Sequence, residues 1–330
     1  MSNRRRFPIV IVAALVPAAL MACGSGEPKP ITTSSAGAAA PAATATVSAA
    51  ARTEVQPAPS AAIAYEDAEK AFRAGDYDEA TALFTAYTGR RPENVWGHYM
   101  LGLSSWKAGN LARAAESFDR ALELDSTHVK SLLNSSRVLL ELNQTDMALE
   151  RTSRALAIDP RSADALRLRG RALHNAGDLE SAIEAYRQAL VVDARDTWSM
   201  NNLGLLYIEL GRPAEALGPL ARAVELRSTA PVFHNNLGIA LEQTGHYGAA
   251  REAFEAALDA DSTYGKARIS LDRVSPLATR PGAEELTLED FATQFELQIQ
   301  MWKDADAAAV QPEIEIEVDV DSVPEGEPRE

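Results

Sequence analysis

Between Ala61 and Tyr264 the chain repeats one pattern of small and large residues six times, every 34 residues and without a gap. A period of this length confines the fold to stacked supersecondary units. Counting each block from one, position 20 is always alanine (Ala80, Ala114, Ala148, Ala182, Ala216, Ala250) and position 8 is always small (Ala68, Gly102, Ser136, Gly170, Gly204, Gly238). Small residues at fixed intervals let two helices approach closely. Position 15 is Gly75, Gly109, Asn143, Gly177, Gly211 and Gly245. Glycine and asparagine are the residues that best tolerate the left-handed backbone at a helix end, so a helix is expected to stop there in every block.

Apolar and small residues fall at positions 4, 7, 8 and 11 and again at 20, 24, 27 and 28, which is helical spacing on two separate segments. Each block therefore reads as a helical hairpin. Leu at 7, Gly at 8, Tyr at 11, Ala at 20, Phe at 24, Ala at 27 and Pro at 32 form a pattern that resembles the tetratricopeptide repeat. The sixth block supplies Leu237, Gly238, Ala250, Phe254 and Ala257; the fifth supplies Leu203, Gly204, Tyr207, Ala216 and Ala223; Pro92 and Pro160 close the first and third. The third block departs most, with Ser135, Asn143 and Thr152 where Leu, Gly and Phe are usual, while Ala148 and Ala155 hold its register. The resemblance implies an all-α fold: a right-handed superhelical solenoid of six hairpins (61–94, 95–128, 129–162, 163–196, 197–230 and 231–264), each burying its apolar face against its neighbours. A capping helix is expected over 265–275, with Ile269 and Leu271 on one side, Arg268, Asp272 and Arg273 elsewhere, and Ser275-Pro276 as its stop.

At the amino terminus, Arg4, Arg5 and Arg6 precede an apolar stretch from Phe7 to Leu20. Residues 1–22 read as an export signal. The apolar stretch falls short of the roughly 20 residues of a spanning helix, and Pro8 and Pro17 interrupt it; retention as an anchor is the other reading. Leu20-Met21-Ala22-Cys23 resembles the lipobox of bacterial lipoproteins, in which the cysteine is lipidated and becomes the first residue. Cys23 is the only cysteine, so it has no intrachain disulfide partner, and the competing reading is a chance cysteine after an ordinary signal. Lipidation implies a palmitate-bearing protein attached to the membrane rather than spanning it, since two or three acyl chains hold where one does not. Gly24, in place of an aspartate that would resemble an inner-membrane retention signal, favours the outer membrane facing the periplasm. A Gram-positive source would place the protein on the outer face of the cell membrane. From Gly24 to about Ser60 the chain is almost wholly Ala, Pro, Ser, Thr and Gly, a composition that cannot form a core. As a disordered tether it would reach about 35 Å on average; transient helix in its alanine-rich parts would shorten that.

The formal charge is -15, and loss of the three signal arginines takes it to -18. Nucleic acid is therefore not an expected partner. Much of the acidity lies in an acidic tail over 310–330, where Glu313, Glu315, Glu317, Asp319 and Asp321 alternate with Ile314, Ile316, Val318 and Val320. Such alternation suits either an extended strand added to a partner's sheet edge or a solvated tail. Before it, Thr287 with Asp290 marks a helix start, Leu286 and Phe291 can staple it, and an amphipathic helix is expected over 286–309. Its stripe of Leu288, Phe291, Phe295, Ile299 and Trp302 suits three uses: a further cap on the end of the stack, a segment occupying the chain's own groove, or a docking helix for a partner.

By resemblance, function resides in the concave surface, lined by positions 2, 5, 9, 12 and 13 of each first helix. In the first two repeats these hold Tyr65, Phe72, Trp96, Tyr99 and Trp106; in the third and fourth, Lys130, Arg137, Arg167, Arg171 and His174; Asn201 and Asn235 follow. An aromatic end beside a basic patch suits a peptide with apolar and carboxylate side chains. The alternative is that these arginines pair with neighbouring acids on a solvated face. Chaperone-binding family members carry a two-carboxylate clamp, of which only Arg167 and Arg171 match here; Tyr99, Leu103 and Arg137 depart from it, so that ligand is not carried over. The histidines at 98, 128, 174, 234 and 246 fall at four different repeat positions without metal-ligand spacing, and no phosphate loop or nucleophile motif is present. The reading is a non-enzymatic scaffold without cofactor, metal or small-molecule substrate. It would bind protein or peptide partners and be attached to the membrane by its N-terminal lipid, resembling outer-membrane lipoproteins of the pilotin or cell-wall-scaffold type, with a pilotin-like role in type IV pilus or secretin assembly and a periplasmic holdase as alternatives.

Overall fold

The computed structural model describes residues 64–278 and 287–310, and these contain fourteen α-helices and no strand. In order they are α1 (Tyr65–Ala74), α2 (Tyr77–Arg90), α3 (Val95–Lys107), α4 (Leu111–Leu124), α5 (Val129–Glu141), α6 (Thr145–Ile158), α7 (Ala163–Ala176), α8 (Leu179–Val192), α9 (Thr197–Glu209), α10 (Pro213–Leu226), α11 (Pro231–Gln243), α12 (Tyr247–Ala260), α13 (Gly265–Val274) and α14 (Leu288–Val310). The export signal, Cys23, the tether and the acidic alternation from Glu313 lie outside the described residues. No described helix is long and apolar enough to cross a membrane.

Local chemistry sets both turns of every hairpin. Each position-15 residue lies in the left-handed region, with φ from +57° at Asn143 to +86° at Gly75, so the first helix of each pair stops there. Between hairpins, Asp125, Asp159, Asp193 and Asp261 each accept a hydrogen bond from the backbone N–H two residues on, at 2.9–3.0 Å, which closes the turn. Asn94, Ser162 and Asp196 then cap α3, α7 and α9 with their side-chain oxygens.

Packing inside a hairpin follows one pair of positions. The residue at position 24 lies over the small residue at position 8: a Cβ placed on Gly102, Gly170, Gly204 or Gly238 would stand 2.4–2.7 Å from Phe118, Tyr186, Leu220 or Phe254, respectively. In the third hairpin the larger Ser136 faces the smaller Thr152, both fully buried. The residues that departed from the repeat pattern thus compensate one another in volume. The apolar core nevertheless thins here: Ser131, Ser135 and Ser136 are fully buried, and Ser136 returns its hydroxyl to Leu132 O at 2.7 Å.

Curvature is legible in which helices touch. Each first helix contacts the first helix of the next hairpin, from α1·α3 through to α11·α13, whereas the backbones of successive second helices stand further apart and are bridged by long side chains, such as Arg113 with Thr85 and Arg151 with Asp119 at 2.9 Å. First helices therefore line the inner, concave wall and second helices fan out on the convex side. Side-chain contacts along the concave wall share a spacing of 35 residues, one repeat plus one: Trp106–Glu141, Asn134–Tyr99, His174–Glu209, Asn236–Asn201 and Trp198–Phe233.

The position of α14 corrects the expectation of an end cap and equally that of a groove occupant. It lies on the convex side across α8 and α10. Ala292, Phe295 and Ile299 are each 2% exposed, Glu296 pairs with Arg222 at 3.0 Å, and Trp302 stacks under the Arg187 guanidinium at 4.6 Å. Close approach is permitted by Gly218, whose Cβ would lie 3.1 Å from that of Phe295 and 3.4 Å from the carbonyl oxygen of Phe291. Gly218-Pro219 is a helix-weakening pair in the middle of α10, and α14 covers it. A signal for this site exists in the repeats: position 22 is Ala82, Glu116, Glu150, Glu184 and Glu252 elsewhere, and glycine only in the fifth hairpin, at Gly218.

Candidate functional site

The residues expected on the concave wall divide into three groups. Tyr65 and Phe72 are half-buried and pack within their own hairpin, edge-on to Phe84 and Tyr87 and to Tyr77 at 5.4–5.5 Å. Tyr99 is buried; burial raises its phenol above the ordinary tyrosine value, and its oxygen accepts from Asn134 Nδ2 at 3.2 Å. Much of the expected aromatic end is thus core, and Trp96, 48% exposed, is its open part.

Asn201 and Asn235 are also corrected, both being 3% exposed. They belong to a buried amide ladder in which Asn235 donates to Asn236 (3.3 Å), Asn236 to Asn201 (2.9 Å) and Asn201 to Asn202 (3.3 Å). Asn202 in turn bonds the Tyr186 hydroxyl, whose titration burial pushes far above the usual range. Amides suit this role because each both donates and accepts; among the described residues Asn235 Oδ1, at the end of the row, is buried without a donor.

A third group converges. Trp106 from α3, Arg137 and Glu141 from α5, Arg167, Leu168 and Arg171 from α7, and Trp198 and Asn202 from α9 surround a cavity of about 280 Å3 on the concave wall. The Trp106 indole donates to the Glu141 carboxylate at 3.1 Å, and Trp198, 41% exposed, is held edge-on to Phe233 at 5.1 Å. Arg137 donates to Asn134 at 2.8 Å and lies 3.5 Å from Asp164; burial holds its guanidinium below the ordinary arginine value, with Asp164 opposing. Arg167 pairs with Asp164 and, at 3.0 Å, with Asp196, the residue that caps α9. His174 meets Glu209 at 2.6 Å. The basic patch is therefore largely paired by acids of the same wall. Exposed Arg171 pairs with no carboxylate among the described residues, and exposed Lys130 sits 5.2 Å over the ring of Trp96.

Trp198 and Glu141 occupy positions 2 and 13, so the register that located the arginines also reaches them. What the register does not give is the diagonal that brings four successive first helices to one cavity. Among the described residues, the cavity offers one guanidinium without a carboxylate partner and two paired ones between two indole walls. Its volume is at the low end for a small-molecule site and fits side chains of a longer ligand laid along the wall. Among the described residues no group of three His, Cys, Asp or Glu could hold a metal ion.

Fold and wall together define a class: a curved stack of helical hairpins presenting an open inner surface to another polypeptide. The sequence profile of the family described as "Tetratricopeptide repeat" matches residues 65–128, 133–197 and 201–265, more than half of the chain. The protein belongs to the tetratricopeptide repeat family, whose members mediate protein–protein interactions. Similar solved structures include PilF of Pseudomonas aeruginosa, 20% identical over 67% of this chain and 99% of that one, with a TM-score of 0.51. A chain of the APC/C hetero-tetramer Cut9–Hcn1 is 17% identical over 63% of this chain and 41% of its own, with a TM-score of 0.56. MamA from Desulfovibrio magneticus RS-1 is 24% identical over 49% of this chain and 91% of its own, at 0.46. At these identities the likeness is one of fold.

Proposed function

We propose that this protein is a membrane-anchored extracytoplasmic scaffold that holds a partner peptide along its concave wall, with a carboxylate at Arg171 and apolar side chains between Trp106 and Trp198. The observation that carries this is the cavity itself, where a cation without a carboxylate partner among the described residues stands between two indole walls. A guanidinium in such a place gains most from a carboxylate, which it can hold through two parallel hydrogen bonds. Attachment to the membrane rests on Leu20-Met21-Ala22-Cys23 behind a basic and apolar amino terminus.

Two experiments test the two halves. Photo-crosslinking from positions 106 and 171 in living cells, read by mass spectrometry, should capture discrete partners, and Arg171→Ala should lower the yield from position 106 severalfold. Unchanged capture would refute the site. Cys23→Ser should move the protein from the membrane to the soluble fraction; unchanged fractionation would refute the lipid anchor. The captured partners also separate the alternatives, since secretin or pilus components point to pilotin-like work and many unrelated exported chains point to a holdase.

A further inference from the structure

We propose that residues 313–321 of this same chain form a tethered pseudo-ligand of the concave cavity, which an external partner must displace. The inference rests on the reading of that wall as a peptide site, and three observations carry it.

The first is where α14 delivers the chain. Its last turns leave the convex face at the junction of the third and fourth hairpins, where Asp306 lies 3.8 Å from Arg161 and Trp302, Ala305 and Asp306 share a cavity with Pro160 and Leu166. Arg161 belongs to the turn that leads into α7, the helix carrying Arg167 and Arg171 on the concave side. Six residues of helix, about 9 Å, separate Arg161 from Arg167. Residues 311–321 in extended form span about 36 Å, so the first half can pass round a helix about 10–12 Å thick and bring Glu317, Asp319 and Asp321 to the cavity.

Charge is the second observation. The chain carries a net -15, and the wall keeps two exposed cations, Arg171 and Lys130, without a carboxylate partner among the described residues. Glu313, Glu315, Glu317, Asp319 and Asp321 place five acids in nine residues. The third observation is spacing. Alternate residues of an extended segment repeat every ~6.7 Å on one face, close to the ~5–6 Å between residues four apart on a helix, such as Arg167 and Arg171. In the same extended form the intervening Ile314, Ile316, Val318 and Val320 face away from the arginines. A short tether gives an effective concentration of about 1 mM, so an intrinsic affinity of only about 0.1 mM keeps the cavity roughly nine-tenths occupied and weakens an external ligand about tenfold.

The test uses full-length protein, with its native sequence or with the tail neutralised (Glu313→Gln, Glu315→Gln, Glu317→Gln, Asp319→Asn, Asp321→Asn). A fluorescein-labelled peptide of residues 311–323 is titrated into each and read by anisotropy. Expected is binding about tenfold tighter to the neutralised chain, and loss of most of that binding when Arg171→Ala is added. Equal affinity for the native and neutralised chains, no binding to the neutralised chain, or indifference to Arg171→Ala would each overturn the inference. Crosslinking from position 106 in cells separates this from the partner-binding reading. Neutralising the tail should raise partner capture; unchanged capture would sink the pseudo-ligand and leave the scaffold, whereas no capture from either chain would sink the scaffold while the titration still judges the tail.

Discussion

Replacing Gly218 with glutamate gives the fifth hairpin the residue that the second, third, fourth and sixth already carry at position 22. For the solenoid this should be harmless or better, because a helix-interior glycine costs about 0.5–1 kcal/mol. For α14 it should be decisive. Phe295 and Ile299, each 2% exposed, contribute about 1.5–3 kcal/mol apiece by burial before the cost of ordering the helix. A glutamate Cβ at 218 would begin 3.1 Å from Phe295 Cβ, with its carboxylate driven into the α10–α14 interface. Burying an uncompensated charge costs several kcal/mol, and the one nearby cation, Arg222, already serves Glu225 and Glu296. The penalty is comparable with what these two side chains contribute, so the helix should loosen or leave while the hairpins stay folded. Hydrogen exchange followed by mass spectrometry should show residues 288–303 losing protection and α9–α12 keeping theirs, with the melting temperature of the solenoid unchanged or slightly higher. Gly218→Ala, which asks only for a shift of a few tenths of an ångström, should leave α14 protected. If α14 stayed protected in Gly218→Glu, or if the hairpins melted together with it, the assignment of α14 as a separable convex strap would be wrong.

Gly170→Ser sets a Cβ 2.7 Å from the Tyr186 ring and should cost about 1–3 kcal/mol in urea unfolding; adding Tyr186→Thr, which recreates the Ser136–Thr152 pair, should cost less than the sum of the two single changes. Simple additivity would show that the two positions do not share space. Asn236→Leu leaves the Asn201 carbonyl oxygen without its donor and should destabilise by about 1–3 kcal/mol in the same assay; a neutral result would mean that the ladder contributes nothing net. His128, wedged against Trp96 and Tyr99 at 4.7 and 5.2 Å, has its titration lowered by burial. The unfolded chain therefore takes up the proton first, and stability should fall as pH drops below about 6.5, the ordinary histidine value. His128→Asn should remove part of that slope between pH 6.5 and 5 in thermal melts, and identical slopes would refute the assignment.

The hairpins were legible because their determinants are local and repeated. A left-handed residue at position 15, an alanine at position 20 and a small residue at position 8 act within one hairpin or between neighbours, so their spacing survives in the linear sequence. Concave membership was legible for the same reason, as a register. The register names positions without telling an open one from a filled one: Asn201 and Trp198 lie on the same helix, yet one is buried in an amide ladder and the other is 41% exposed. Partners one repeat and one residue away decide that difference, through the superhelical offset between neighbouring hairpins. Pairing of Arg137 and Arg167 by Asp164 and Asp196 was hidden in the same way, while Arg171, one turn further along α7, escapes it.

The chain's own residues fixed the number of hairpins, where each helix stops and which face of each turns inward, because every one of those outcomes is settled by contacts within about one repeat. Only the assembled stack decided that Trp106, Arg171 and Trp198 border one cavity and that α14 lies on the convex side at Gly218. Both depend on the offset accumulated between hairpins and on a long-range docking, for which a periodic sequence carries no coordinate.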